Sequence, residues 1–321
     1  MIVQQIAELA HVPVRAVIIN CDTRWVTTLA LLSALRYAHV PILLIDCEST
    51  DGSWEWFCEL AAKHSFAENT VDVVKMPLRP HGKTLDRLFQ EIRADKVLLV
   101  DSDLEILSPT IVADSIRAAS ENGIYGAGFL HAGEWIRGGH LPASAHGYYM
   151  ERMWIPFTCL NVAPIRSALA AGNSFMHSRD YFEFPQSLLL SKALYARHRL
   201  PLLKKLELKF LHRFRQQPQE GPMPNLASNF SSKVAPIPGS GVVLSPAFCE
   251  YDTGARLHAY MRQTLRSEFA DFGMGLCAAS VKHYHGTTRA TLSPGRDNAT
   301  PPNSVLDEVM QRLSDEYGVN T

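Results

Sequence analysis

The chain has 321 residues, of which 46% are hydrophobic and 20% charged, a composition typical of a soluble globular protein. Its 31 lysines and arginines nearly balance its 32 aspartates and glutamates, so no overall basic charge favours nucleic acid as a partner. The six cysteines are widely spaced and form no Cys-x-x-Cys pair, which argues against a zinc knuckle or a disulfide framework. The sequence shows no signal-peptide pattern and no apolar run of membrane-spanning length, so we expect a cytoplasmic protein.

The first 130 residues alternate strand and helix signals at short spacing. The pattern predicts a strand at 15–20, a helix at 25–37, a strand at 41–46, a helix at 53–63, a strand at 71–76, a helix at 83–93 and a strand at 96–101. Ser108 and Pro109 then predict a helix start, with the helix closing near Gly123 before a strand at 124–129. Apolar runs such as 42–45 carry no polar alternation, as expected of parallel strands covered on both faces. We therefore predict an α/β fold with a mostly parallel twisted sheet flanked by helices.

The second half of the chain, 131–321, is less regular. It opens with a stretch rich in glycine, histidine and aromatic residues at 131–150 and contains a proline-, serine- and glycine-rich loop at 218–241. We expect helical and loop additions here, and one continuous domain in which 1–130 and 131–321 form two halves.

The segment 187–215 has eight lysines and arginines against one acidic residue. If this segment is helical, its larger apolar residues share one face: Leu203, Leu206, Phe210 and Phe214. Two interpretations are open. The helix packs its apolar face into the core and leaves the basic side in water, or it lies on an anionic membrane surface as a peripheral contact at the inner face.

Asp101, Ser102 and Asp103 directly follow the apolar run 96–100. The carboxyl end of a strand is where open α/β sheets bind ligands. Two carboxylates one residue apart can bind one divalent cation, which in turn can hold a diphosphate. The alternative is a polar turn capped by an aspartate.

His283 and His285 form a second candidate for metal binding. In a strand, residues two apart project to the same face, so both imidazoles can reach one cation. Either histidine could serve as a ligand, and the alternative is a pair of ordinary surface or core histidines.

The beginning of the chain resembles the family 2 glycosyltransferases with the GT-A fold. The strand 17–20 is followed by a helix and then by an acidic segment that matches the family at Asp46, Ser49, Thr50, Asp51, Gly52 and Ser53. The Asp-x-Asp of Asp101 and Asp103 comes about 50 residues later, as in the family. The resemblance covers roughly 14–130, and it departs from the family pattern at Cys21 and Asp22.

This resemblance implies a GT-A fold in which 1–130 binds a nucleotide-sugar and 131–321 binds the acceptor. Asn20 and Asp46 would contact the nucleotide, with Asp101 and Ser102 beside it. Lys83, which follows Gly82, would attract phosphate unless it is a solvated residue of a helix start. The implied cofactors are Mn²⁺ or Mg²⁺, held by Asp103, Asp101 and a late histidine, and a UDP-, GDP- or dTDP-sugar donor.

A glycosyl transfer with inversion needs a base that deprotonates the acceptor hydroxyl. Asp252 is our first candidate, because its segment resembles the acidic segment that carries the base in some family 2 glycosyltransferases. This segment precedes a predicted helix that contains Leu257, Met261 and Leu265. Asp180 is the second candidate. Either residue could instead be a helix N-cap.

We therefore expect a metal-dependent glycosyltransferase that moves a sugar to a carbohydrate, lipid-linked or small-molecule acceptor. One alternative is a sugar nucleotidyltransferase, but such an enzyme should have a glycine-rich loop after its first strand, and 20–24 contains no glycine. The other alternative is a non-catalytic carbohydrate-binding or scaffold protein, against which the intact Asp101, Asp103, His283 and His285 argue.

Overall fold

The structure is a computed structural model that describes residues 5–64, 70–131, 152–176, 178–181, 248–251, 253–284 and 303–319. The strands are β1 (Val12–Asn20), β2 (Ile42–Asp46), β3 (Val71–Lys75), β4 (Ala94–Asp101), β5 (Leu104–Ile106), β6 (Ile124–His131), β7 (Arg152–Asn161), β8 (Ser178–Tyr181), β9 (Phe248–Tyr251), β10 (Glu268–Asp271) and β11 (Val281–His283). The α-helices are α1 (Arg24–Tyr37), α2 (Ser53–His64), α3 (His81–Glu91), α4 (Pro109–Ala118), α5 (Val162–Ala170), α6 (Ala255–Gln263), α7 (Met274–Ser280) and α8 (Asn303–Tyr317).

Seven strands form the main sheet in the order β10-β6-β7-β4-β1-β2-β3. The strands β3, β2, β1 and β4 are parallel neighbours, and β7 runs antiparallel to both β4 and β6. The predicted mostly parallel sheet is therefore confirmed. The chain leaves β1 towards β2 on one side and returns to β4 on the other, so the strand order reverses between β1 and β4. Ligands of open α/β sheets bind at such a reversal, outside the carboxyl ends of the strands.

Helices cover both faces of this sheet, as predicted. Alternate residues of β4 point to opposite faces, so Val97 and Leu99 pack with α3, α5 and α6, whereas Leu98 and Val100 pack with α1, α2 and α4. Both sets of side chains are buried, which explains the continuous apolar run 97–100 in this strand.

Two small antiparallel sheets lie beside the main one. In the first, β5 pairs with β11, with His283 opposite Leu104. In the second, β8 pairs with β9. The sequence did not indicate β5, since its three residues are too few to show a period.

The C-terminal helix α8 packs on α1. Val309 and Leu313 of α8 are fully buried against Val26 and Leu29 of α1, and Tyr284 belongs to the same apolar cluster. This contact ties the end of the described chain to the residue that follows β11.

Two predicted helix ends were wrong. The helix expected to close near Gly123 ends at Ala118, because the chain turns over 119–123 and Gly123 adopts a φ of +81°. Leu265 lies beyond α6, which ends at Gln263, and its side chain is 41% exposed. The basic segment 187–215 and the loop 218–241 lie outside the described residues. Among the helices that the structure describes, none combines the length and the apolar character needed to cross a bilayer.

Candidate functional site

Asp101, Asp103 and His283 come together at the carboxyl end of β4. Each offers one ligand atom, and these atoms all lie within 4.8 Å of one another. The Nε2 atom of His283 is 3.0 Å from Oδ1 of Asp103. Two ligands at right angles around a cation, each with a bond of about 2.1 Å, are about 3 Å apart. Two carboxylates and an imidazole at this spacing therefore fit a divalent cation such as Mn²⁺ or Mg²⁺.

The small sheet brings these ligands together across 180 residues of sequence. Asp103 ends the turn after β4 and leads directly into β5, while His283 ends β11. The antiparallel pairing of β5 with β11 continues one residue further, where the Tyr284 amide donates to the Asp103 carbonyl at 2.7 Å. The backbone pairing therefore brings Asp103 and His283 close to each other.

The pKa values of Asp101 and His283 are both raised in this cluster, for different reasons. Burial raises the pKa of the Asp101 carboxyl above its ordinary value and Asp103 adds to the rise, whereas His81 and His283 act in the opposite direction. Burial by itself lowers the pKa of His283, but the hydrogen bond to Asp103 and the charges of both aspartates outweigh it, so this pKa is raised. A cation can replace the proton between these groups, since metal binding requires ionised carboxylates and a neutral imidazole.

The sequence left open which histidine completes the site. The structure places His283 at the two aspartates, while His285 lies outside the described residues. Ser102 is only 7% exposed, because it lies inside the turn between Asp101 and Asp103. Its predicted contact with a nucleotide stays a prediction.

Asn20 and Asp46 end the neighbouring strands β1 and β2, and their side chains are hydrogen-bonded to each other. The side-chain amide of Asn20 donates to Asp46 Oδ1 at 2.8 Å and to Ser49 Oγ at 2.9 Å. The backbone amide of Ser49 donates to Asp46 Oδ2 at 3.2 Å. Both side chains have no exposed surface. These hydrogen bonds give Asn20 and Asp46 the task of holding the two strand-to-helix loops together, and their predicted contact with the nucleotide stays a prediction.

Two further carboxylates organise the same loops. Asp51 accepts from the Arg24 amide at the start of α1 and from the Ser53 amide at the start of α2, each at 3.0 Å. Asp22, with a φ of +49°, accepts from the Thr50 amide at 2.5 Å. Asp51 therefore caps the starts of two helices. Asp22 was not identified as a site residue from the sequence.

Lys83 lies in the first turn of α3 and is exposed. Its amide donates to the Pro80 carbonyl at 2.8 Å, so its backbone belongs to the helix start. The neighbouring His81, which sequence reasoning missed, lies close enough to Asp101 to lower the pKa of that carboxyl. The start of α3 therefore lies beside the candidate metal centre, and phosphate attraction by Lys83 stays a prediction.

Gly82 allows the start of α3 to approach the loop before β8. A Cβ atom on Gly82 would lie 2.6 Å from the Met176 Cα and 2.7 Å from the Phe175 carbonyl carbon. Asp86, one turn along α3, holds the same loop by accepting from the Phe175 amide at 2.8 Å. The close approach explains the glycine without any appeal to the nucleotide.

We expect Gly82→Ala to lower the free energy of unfolding by about 1–3 kcal/mol, because backbone atoms must move to admit the new methyl group. The matched control is Gly275→Ala in α7, where a Cβ would meet nothing within 4 Å. Urea denaturation measures both variants. Equal stability of the Gly82 variant and the wild type would show that the loop yields without cost.

The structure brings the two candidate base segments together. In the sheet of β8 and β9, Asp180 pairs with Cys249, and Tyr251 pairs with Ser178. Asp252 follows Tyr251 directly but lies outside the described residues. The Gly254 amide donates to the Phe175 carbonyl at 3.0 Å, so this sheet adjoins the loop that touches the start of α3.

No protein-family model matches the chain, and no curated protein matches it either. Among solved structures, the chain is similar to S. aureus TarS, with 14% identity, a TM-score of 0.35 and 49% of each chain covered. It is also similar to the mannosyltransferase PcManGT from Pyrobaculum calidifontis in complex with GDP-Man and Mn²⁺, with 12% identity, a TM-score of 0.38, and 52% of this chain and 48% of that chain covered. The chain spans about half the length of each of these two structures.

Proposed function

We propose that the chain is a metal-dependent glycosyltransferase with a GT-A-like fold, which transfers a sugar from a nucleotide-sugar to an acceptor hydroxyl. The observation that carries this proposal is the cluster of Asp101, Asp103 and His283 at the end of β4. That strand borders the reversal of strand order, where a nucleotide can lie across β1 and β4. The resemblance of 14–130 to family 2 glycosyltransferases points to the same donor class.

Residues at the carboxyl ends of the strands would have separate roles in donor binding. Asp101, Asp103 and His283 would hold Mn²⁺ or Mg²⁺, and the cation would supply positive charge against the diphosphate leaving group. Asn20 and Asp46 keep the loops after β1 and β2 in place for the nucleoside. Lys83, exposed at the start of α3, would attract phosphate.

A carboxylate on the segment of β8 and β9 would act as the base. It takes the proton from the acceptor hydroxyl, whose oxygen bonds to the anomeric carbon of the sugar. The bond from that carbon to the diphosphate oxygen breaks, and a nucleoside diphosphate leaves. Attack from the face opposite the leaving group inverts the anomeric configuration. Asp252 is the preferred base and Asp180 the second candidate.

A panel of UDP-, GDP- and dTDP-sugars tests this function. We expect at least one donor to raise the melting temperature in the presence of Mn²⁺ and to be hydrolysed slowly to the nucleoside diphosphate. Chelator should abolish both effects. If no donor in the panel binds or reacts with Mn²⁺ present, the proposal is wrong.

Two further assays test the alternatives, one with nucleoside triphosphates and sugar phosphates and one with carbohydrates. Formation of inorganic pyrophosphate from a nucleoside triphosphate and a sugar phosphate would indicate a nucleotidyltransferase instead. Binding of carbohydrates without turnover of any nucleotide-sugar would indicate a non-catalytic carbohydrate-binding protein.

For 187–215 we expect peripheral membrane binding, because each basic residue near an anionic surface contributes about 1 kcal/mol at best and this segment has eight. Cosedimentation with phosphatidylglycerol and phosphatidylcholine vesicles checks the prediction. Binding to the anionic vesicles should fall steeply as salt increases, since the Debye length shortens. Absence of any preference for anionic vesicles at low salt would contradict it.

A further inference from the structure

Glu105 is a buried carboxylate two residues beyond Asp103. It lies in the middle of β5 and is only 1% exposed. Its Oε2 atom accepts a hydrogen bond from the Tyr284 hydroxyl at 2.9 Å, and its Oε1 atom lies 2.5 Å from Nη2 of Arg312. A buried carboxylate is costly unless it is paired and hydrogen-bonded, and Glu105 has both kinds of contact.

The partners of Glu105 come from different parts of the chain. Tyr284 directly follows β11, and Arg312 lies on α8, 207 residues beyond Glu105. Arg312 is one third exposed, so its charge reaches the buried carboxylate from the protein surface. The pKa of Arg312 is raised, chiefly by its hydrogen bond to Glu105. Arg312 is thus the cationic partner of Glu105 among the described residues.

This network is connected to both sides of the candidate metal centre. Glu105 belongs to the strand that starts after Asp103, and Tyr284 is the neighbour of His283. The Tyr284 amide bonds to the Asp103 carbonyl, while its hydroxyl bonds to Glu105. Tyr284, which follows β11, therefore contacts the other side of the site at two residues, Asp103 through its amide and Glu105 through its hydroxyl.

We propose that Arg312 is a positioning residue for the metal centre, which acts through Glu105 and Tyr284 to hold His283 at its distance from Asp103. This inference rests on the proposed function, because it assigns α8 to the construction of the same site. Loss of Arg312 leaves the Glu105 carboxylate buried without its cation. Glu105 is then no longer held in place, so the Tyr284 hydroxyl loses its fixed partner and His283, the neighbour of Tyr284, loses that support.

A second ion pair provides a matched control. Lys282 of β11 pairs with Glu308 of α8, so this pair joins the same helix to the strand that precedes Tyr284. Both side chains are more than 40% exposed, so the pair should contribute little to stability or to the metal centre. If α8 acts only as a packing element, the Arg312 and Glu308 variants should not differ in metal affinity.

The experiment measures free Mn²⁺ by electron paramagnetic resonance in titrations of the full chain with Mn²⁺ alone. We expect Arg312→Met to weaken Mn²⁺ binding by about tenfold, in the range usual for residues that orient metal ligands. Arg312→Lys, which keeps the charge, should recover most of the affinity. Glu308→Gln should stay within about twofold of the wild type, while His283→Ala marks the loss of a ligand.

The results distinguish this inference from the function on which it rests. If His283→Ala weakens binding but Arg312→Met does not, the positioning role is wrong and the metal centre stands. If the wild type itself binds no Mn²⁺, both fail. Should Arg312→Met not fold, Tyr284→Phe takes its place, because it removes only the hydroxyl and keeps the buried ring. An unchanged Mn²⁺ affinity in that variant would overturn the proposal.

Discussion

Replacing Asp103 by alanine is expected to weaken Mn²⁺-dependent binding of a nucleoside diphosphate by about 100-fold or more. Loss of a residue that only orients a metal ligand commonly costs 10- to 100-fold in metal affinity, so loss of a ligand should reach at least the upper end of that range. Asp103 is 8% exposed and hydrogen-bonded to His283. Its removal therefore also frees the imidazole of His283, the other ligand of this pair. Calorimetric titration of UDP and GDP, with Mn²⁺ or with chelator, measures the effect.

Asp95→Ala is the matched control for this variant. Asp95 lies on the same strand, β4, but near its opposite end, where its carboxylate pairs with His11 and is 63% exposed. Nucleotide affinity should be unchanged in this variant. If the wild type and Asp103→Ala bind the nucleoside diphosphate with equal affinity, with and without chelator, Asp103 is not a metal ligand.

The second large effect is expected for the base. Asp252→Asn should lower kcat by about 10²- to 10⁴-fold, because an amide cannot accept the proton of the acceptor hydroxyl. Donor affinity should stay at the wild-type value, since a base for the acceptor hydroxyl is not needed to bind the donor. A loss of kcat without a change in donor binding is the pattern of an interaction that matters in the transition state.

Asp180→Asn is the companion variant. β8 and β9 are paired, so the two candidate carboxylates lie on adjoining segments and the comparison is a close one. Full activity of Asp252→Asn together with an inactive Asp180→Asn would transfer the role of base to Asp180. Full activity of both variants would show that neither carboxylate is the base.

The main sheet could be predicted because its strands carry a strong signal. The residues of β2 are buried from end to end, and a parallel strand covered by helices on both sides reads as a continuous apolar run. Asp101 could be singled out for the same reason, since it ends such a run. Element ends were less well predicted, as at Gly123, because a turn with a positive φ can follow a helix end at several spacings.

The residues that approach Asp101 and Asp103 from distant parts of the chain could not be predicted from the sequence. β5 and β11 have three residues each, so no periodicity shows that Leu104 lies opposite His283. The position of His283 beside Asp103 follows from this pairing, while His285 lies outside the described residues. Arg312 lies on a helix whose charged residues look like an ordinary solvated face, and only its contact with Glu105 sets it apart.

For Asn20 and Asp46, the sequence could predict the position at the strand ends but not the contacts of the side chains. Polar side chains at strand ends have the same sequence pattern whether they bind a ligand or each other. Here the buried amide of Asn20 donates to Asp46, so the pair first satisfies its own hydrogen bonds. Composition and spacing carry no information on that choice.

The most direct test of the metal centre is anomalous diffraction from crystals of the chain grown with Mn²⁺ and the nucleoside diphosphate that binds most tightly. We predict a manganese peak between the carboxylates of Asp101 and Asp103 and the imidazole of His283, with diphosphate oxygens on its open side. A nucleotide bound at the carboxyl ends of β1 and β4 with no manganese at these three residues, or with manganese only elsewhere, would contradict this prediction.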